Sequence, residues 1–246
     1  MTTEFASAGG RVVYAVGDIH GRYDLLKQLL GQLAADRRSL STEQPPMLVF
    51  CGDYVDRGPQ SAEVLECVLR LKQRPEFEVR LLKGNHEQAM LYFLENPLEG
   101  SGWLRFGGLK TLQSYGIEIP DDPDDPDTAV MELRNELRRR LPPSHLALLE
   151  SLELKVVVGD YVFVHAGIRP GVPLDQQQDH DLMWIRQDFL DAPGPFEKVV
   201  VHGHTRTERP QLLGHRMAID TGAYATGVLT ALRLDDEGMA VFDTAA

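Results

Sequence analysis

Residues 47–58 read MLVFCGDYVDRG. Met47 to Cys51 form an unbroken apolar run, as in a strand buried on both faces. Gly52 and Gly58 bracket a loop that carries Asp53, Asp56 and Arg57. The same arrangement, an apolar strand ending in a short loop with ligand-type side chains, recurs four more times. VVYAV leads to Gly17-Asp18-Ile19-His20-Gly21, and VRLLK to Gly84-Asn85-His86-Glu87. YVFV leads to His165-Ala166-Gly167, and KVVV to His202-Gly203-His204-Thr205. Open α/β sheets place their sites at the carboxyl ends of strands, so these loops can converge on one cleft.

The segments between the loops support an α/β fold. Leu25, Leu26, Leu29, Leu30 and Leu33 share one helical face, and Val64, Leu65, Val68 and Leu69 another. The order strand, helix, strand, helix, strand over residues 11–82 implies a parallel sheet. Residues 101–152 read as helical, with PDDPDDPD at 120–127 as a solvated loop rather than a calcium site. Beyond residue 152 the strands LKVVV, YVFVH, KVVVH, MAID and VLTALRL predict a second, mixed or antiparallel sheet. No long Gly-, Ser- or Pro-rich linker divides the chain. The expectation is a single domain over 1–246, with two stacked sheets, helices outside and a helical insertion at about 101–152.

Composition narrows the function. The 246 residues carry 25 Lys and Arg against 37 Asp and Glu, a formal net charge of −12. That disfavours an extended nucleic-acid surface and polybasic membrane docking. Two cysteines, Cys51 and Cys67, exclude a disulfide scaffold and a thiolate-rich zinc site. The opening MTTEFASAGGR lacks a signal-peptide pattern, and no apolar run suits a membrane span. A cytoplasmic protein is expected.

Asp18 and His20 are two apart on an extended segment, so they point the same way and can chelate one ion. Carboxylates, an amide and imidazoles make a mixed oxygen and nitrogen set, suited to manganese, iron or zinc. A lone Gly-Asp or His-Ala-Gly is commonly only a turn. The longer GDYVDRG and GNHE strings, in this order and each after a strand, point to chemistry. His145, His180 and His215 lie outside the pattern and read as surface or capping residues.

GDIHG, GDYVDRG, GNHE, HAG and HGHT together resemble the calcineurin-like metallophosphoesterase superfamily. GDYVDRG with GNHE is similar to its serine/threonine phosphatase branch, in particular its small bacterial and phage members. The likeness runs from about Val12 to Leu234. It implies a central β-sandwich of two mixed sheets flanked by helices, with a dinuclear centre at one edge. It also implies roles. Asp18 and His20 would hold one ion, Asp53 both, and Asn85, His165 and His204 the second. His86 would be the general acid, oriented by Asp56, and Arg57 would bind phosphate. Trp184-Ile185-Arg186 is similar to a phage-type Trp-x-Arg, which makes Arg186 the second phosphate ligand. Tyr224 would line the rim, Asp220 would support the site, and His202 would be structural or adjacent to the ligands.

The implied reaction is attack on phosphorus by a hydroxide bridging two divalent ions, most simply manganese, with iron or zinc as alternatives. The first expectation is a serine/threonine protein phosphatase acting on a phosphoprotein or small phosphorylated substrate. The retained Asp56, Glu87 of GNHE and the lack of a long insertion after HAG favour it. The alternative is a symmetrical bis(5'-nucleosyl)-tetraphosphatase or a nucleotide or RNA end phosphatase. A non-catalytic scaffold would have lost a ligand or the acid, and none is missing. Lys83 replaces the arginine that precedes GNHE in eukaryotic protein phosphatases, which argues against partners of their kind.

Overall fold

The computed structural model describes residues 6–40 and 44–245, so the start of the N-terminal stretch read for a signal lies outside it. The chain begins with β1 (Val13–Val16), α1 (Tyr23–Ser39), β2 (Met47–Phe50), α2 (Ser61–Leu71), β3 (Glu78–Leu81) and α3 (Asn85–Glu95). Strands β1, β2 and β3 pair in parallel, with Val16 opposite Phe50 and Phe50 opposite Leu81. Their ends are level, so the first three ligand loops leave the sheet side by side.

The middle of the chain is helical. A 3-10 turn at Glu99–Ser101 and a π-helical turn at Leu104–Gly108 precede α4 (Leu109–Ser114), α5 (Pro126–Arg140) and α6 (Pro143–Glu150). The acidic loop ends where Asp125 caps α5 by accepting from the N–H groups of Asp127 and Thr128, with Pro126 at the first helical position.

The rest is β4 (Lys155–Val158), β5 (Tyr161–Val164), α7 (Asp179–Trp184), α8 (Gln187–Leu190), β6 (Val199–His202), β7 (Gln211–Leu212), β8 (Arg216–Ala218), α9 (Ala223–Thr226), β9 (Thr230–Asp235) and β10 (Gly238–Asp243). The second sheet has the order β4-β5-β6-β8-β7 and is mixed. The first has the order β10-β9-β1-β2-β3. Here the structure corrects the sequence reading. VLTALRL does not join the second sheet; as β9 it pairs antiparallel with β1. The apolar pattern requires burial but does not say in which sheet. Tyr14 and Val16 of β1 are fully buried, and without β9 their strand would present an open edge.

Alternation along the strands builds the layers. Tyr14, Val16, Leu48 and Phe50 face the helices α1 to α3 and the helical middle. Val13, Ala15, Met47 and Val49 face the other way and meet Val156, Phe163, Val201 and Met217 of the second sheet. Val162, Val164 and Val200 pack outward against Leu182, Ile185 and Phe189 of the α7–α8 region. The result is helix, sheet, sheet, helix. His145 is also a correction. It is buried, with Nδ1 2.9 Å from the Tyr115 hydroxyl and Nε2 3.3 Å from Glu66, because α6 packs against α2. Among the described residues no helix is long and apolar enough to cross a membrane.

Candidate active site

The ligand loops carry the strain of the fold. Among the described residues, the non-glycine positions with left-handed φ are His20 (46°), Asp53 (52°), Asp56 (74°), Arg57 (65°) and His204 (63°). Such conformations cost free energy and persist where surrounding contacts enforce them. At the Asp53 loop that enforcement comes from Glu87, fully buried at the start of α3. Its carboxylate accepts from the N–H groups of Asp53 (2.9 Å), Tyr54 (2.8 Å), Val55 (3.2 Å) and Gly84 (2.9 Å). Burial and the charge of Asp53 push its pKa up to about 8, against the pull of those donors.

Asp53 stands at the centre. Its Oδ2 lies 3.4 Å from His20 Nε2 and 4.0 Å from His86 Nε2, and its Oδ1 3.5 Å from His165 Nε2. Two groups of ligand atoms therefore share it: His20, Asp53 and His86, and Asp53, His165 and His204. Asn85 Oδ1 is 2.9 Å from His165 Nε2 and 2.8 Å from His204 Nδ1. The sequence-derived set is thus gathered, with two differences. His86 falls inside the first group, and Asp18 falls outside both. Asp18 is nevertheless adjacent, because its Oδ2 accepts from the His204 N–H at 3.0 Å.

The donors fit divalent ions. Nδ1 of His20 donates to the Val55 carbonyl (2.9 Å) and Nδ1 of His165 to that of Cys51 (2.7 Å), which leaves each Nε2 lone pair toward Asp53. His165 Nε2 and Asn85 Oδ1 then face each other as two acceptors, an arrangement a cation relieves. Asp18 Oδ1 and His204 Nε2 are buried with no partner among the described residues. Burial holds His20 down to about 3 and, with His165 beside it, His204 down to about 2, so both rings are neutral. Burial, then Asp220 and Asp53, push the Asp18 carboxyl well up, the mark of acidic groups gathered without countercharge.

His86 is anchored by Asp56 on one side and meets Arg57 on the other. Its Nδ1 is 2.7 Å from Asp56 Oδ2, and its Nε2 is 3.2 Å from Arg57 Nη2. Burial opposes its proton, yet Asp53 and Asp56 outweigh that and raise its pKa. The Arg57 guanidinium lies 4.6 Å from the centre of the Tyr224 ring, which meets His20 edge-on at 5.3 Å. Arg186 is exposed at the rim, with Nη1 3.3 Å from Thr205 Oγ1 and 3.4 Å from the His204 carbonyl. Asp220 is buried and accepts from the Gly222 N–H at 2.8 Å. His202 belongs to neither ligand group; it packs on Phe189 with ring centres 5.1 Å apart. Trp103, Thr111 and the structural part of Glu87 are absent from the site that the sequence motifs outline. Trp103 Nε1 donates to Asp56 Oδ2 at 2.7 Å and Thr111 Oγ1 to Asp56 Oδ1 at 2.6 Å.

Comparison with known proteins gives the family. The family model for calcineurin-like phosphoesterases matches residues 11–225. A relative from Bacillus velezensis, named bis(5'-nucleosyl)-tetraphosphatase PrpE [asymmetrical], is 29% identical over 90% of this chain and 88% of its own. Serine/threonine-protein phosphatase 2 of Escherichia coli is 40% identical over 40% of this chain and 39% of its own. The solved structure of a cold-active protein-tyrosine phosphatase from a psychrophilic Shewanella is similar in fold. It has a TM-score of 0.58 at 19% identity, over 98% of this chain and 82% of that one. The order of the loops, the two mixed sheets they leave and the extent of the family match lead to one assignment: the chain belongs to the calcineurin-like phosphoesterases.

Proposed function

We propose that this chain is a metal-dependent hydrolase of bis(5'-nucleosyl) tetraphosphates, acting in the cytoplasm as one domain over 1–246 with 101–152 as a helical insertion. The observation that carries the substrate is the reach of the likeness. The tetraphosphatase relative aligns along 90% of the chain, the protein phosphatase along 40%. This favours the dinucleotide over the phosphomonoester that Asp56 and Glu87 first suggested. The relative's name specifies asymmetrical rather than symmetrical cleavage, so a nucleoside triphosphate and a monophosphate are the expected products.

In this reading Asp18, His20 and Asp53 hold one divalent ion, and Asp53, Asn85, His165 and His204 a second. Manganese suits the mixed donor set, with iron or zinc as alternatives. When bound, such ions lower the pKa of water and offset charge on phosphoryl oxygens. Arg57 and Arg186 bind those oxygens and hold the phosphoryl group for in-line displacement. Tyr224 fixes the plane of Arg57 from one side. His86 gives its Nε2 proton to the departing oxygen, while Asp56 keeps the ring oriented and favours its protonated form.

A second reading, serine/threonine protein phosphatase, is favoured by the completeness of the acid. A serine or threonine alkoxide leaves far less readily than a phosphate and depends more on the buried His86–Asp56 pair. The test is nucleotide and phosphate release by metal-stripped protein after manganese is returned, with diadenosine tetraphosphate and phosphoserine and phosphothreonine peptides at equal concentration. Faster, metal-dependent formation of ATP and AMP supports the tetraphosphatase. Faster peptide dephosphorylation replaces it with the second reading.

A further inference from the structure

Asp56 is the point where the helical middle of the chain reaches the chemistry. Its side chain is fully buried and both carboxylate oxygens are engaged. Oδ2 faces His86 Nδ1 and accepts from the Trp103 indole; Oδ1 accepts from the Thr111 hydroxyl. The Asp56 N–H in turn donates to Thr111 Oγ1 (2.9 Å) and to Ser61 Oγ (3.0 Å). Trp103 and Thr111 are themselves buried, on either side of the π-helical turn. From that turn the Gly107 carbonyl accepts from the Arg57 N–H at 3.3 Å.

The chemistry of these partners is selective. An indole N–H can only donate, so its hydrogen bond has one polarity. The threonine hydroxyl accepts from the Asp56 backbone and gives its own proton to the side chain, so its direction is fixed too. Both donors are neutral. An arginine or lysine here would take up the carboxylate's charge, whereas an indole and a hydroxyl stabilise it and leave its charge for the imidazole. The turn has little room to shift. A Cβ at Gly107 would lie 2.7 Å from the Arg57 nitrogen, and one at Gly108 2.5 Å from the Trp103 ring.

We propose that Trp103 and Thr111 are positioning residues: by fixing the Asp56 carboxylate they hold His86 toward the leaving oxygen, and so make the helical segment part of the acid. The proposal rests on the reading of His86 as the general acid. It does not depend on which phosphate substrate is preferred.

The experiment is a double-mutant cycle on the manganese-loaded protein, with whichever substrate the preceding assay identifies. Trp103→Phe and Thr111→Val are each expected to lower kcat about ten- to hundredfold with little change in KM or manganese affinity. Thr111→Ser, which keeps the hydroxyl, is expected to stay close to the parent. In a His86→Asn background the same changes are expected to cost almost nothing more, because they act through His86. If Trp103→Phe does not fold, the three Thr111 measurements decide. Losses that multiply with His86→Asn overturn the proposal while leaving His86 as the acid, as does unchanged kcat in the Trp103 and Thr111 variants. Unchanged kcat in His86→Asn alone overturns the reading of the acid and the proposal with it.

Discussion

At Gly84 a single methyl group would disturb the whole centre. Its φ is an ordinary −90°, so the backbone does not require glycine. The space does: a Cβ there would lie 2.1 Å from Asp53 Oδ1 and 2.5 Å from the Asp53 nitrogen. Gly84→Ala is therefore expected to displace Asp53, destabilise the fold by about 1–3 kcal/mol and abolish manganese binding. Urea denaturation and a metal titration check both; a variant that binds manganese like the parent would show that Asp53 is not the shared ligand. His86→Asn tests a different function at the same loop. It removes the proposed proton donor, so kcat is expected to drop about 10²- to 10⁴-fold while manganese affinity is kept. Residues of this kind were legible from the sequence because each motif is contiguous. Trp103 and Thr111 were not, since they reach Asp56 only through tertiary contact and Trp103 has the apolar look of core. Glu87 was visible in GNHE, but that its carboxylate folds the neighbouring loop could not be seen in the string.

The elements place Arg186 by a clamp. Arg169, two residues past the His-Ala-Gly motif, donates from Nε and Nη2 to both Asp181 oxygens (3.1 and 2.6 Å) and from Nη1 to Asp188. Asp181 lies on α7 and Asp188 on α8, so the clamp spans the joint that carries Arg186. Hydrogen bonds from Arg169 hold the Asp181 carboxyl below its ordinary range. The sign follows: the clamp is intact above the ordinary carboxylate pKa and is lost only as pH falls through the lowered value. Arg169→Ala is expected to raise KM about two- to fivefold, an effect limited by solvent exposure, with kcat nearly unchanged. The ratio to the parent should stay constant between about pH 5 and 9, because Asp181 remains ionised throughout. KM measured across that range checks this, and a ratio that changes within it would show that the clamp does not set the rim. The element types were largely readable from apolar runs and turn residues. The partner of β1 was not, because a buried strand looks alike in either sheet and only closure of the first sheet by β9 decides.

At the scale of the molecule, two sheets bring the five loops to one edge and leave buried acidic groups there against a net charge of −12. Asp18, Asp53 and Asp220 lie buried near one another, with Arg57 Nη2 against the neighbouring His86. Folding without a divalent ion therefore concentrates like charge in low dielectric, which is costly. Ions that bind the folded chain and not the unfolded one should recover that cost by mass action. Manganese at a hundred times its dissociation constant is expected to stabilise by about 2.7 kcal/mol for each ion bound. For a chain of this length that is a rise in Tm of about 5–10 °C per ion over chelator-treated protein. Magnesium, which prefers an all-oxygen shell, should give a smaller shift at equal concentration, since imidazoles make up half of the proposed ligand set. Asp53→Asn should remove most of the manganese shift, because both ligand groups meet at that carboxylate. Thermal melts of chelator-treated, manganese-loaded and magnesium-loaded protein measure all three. A Tm indifferent to manganese would mean that the gathered imidazoles and carboxylates do not form an ion site, and a shift as large with magnesium would mean that the imidazoles do not ligate.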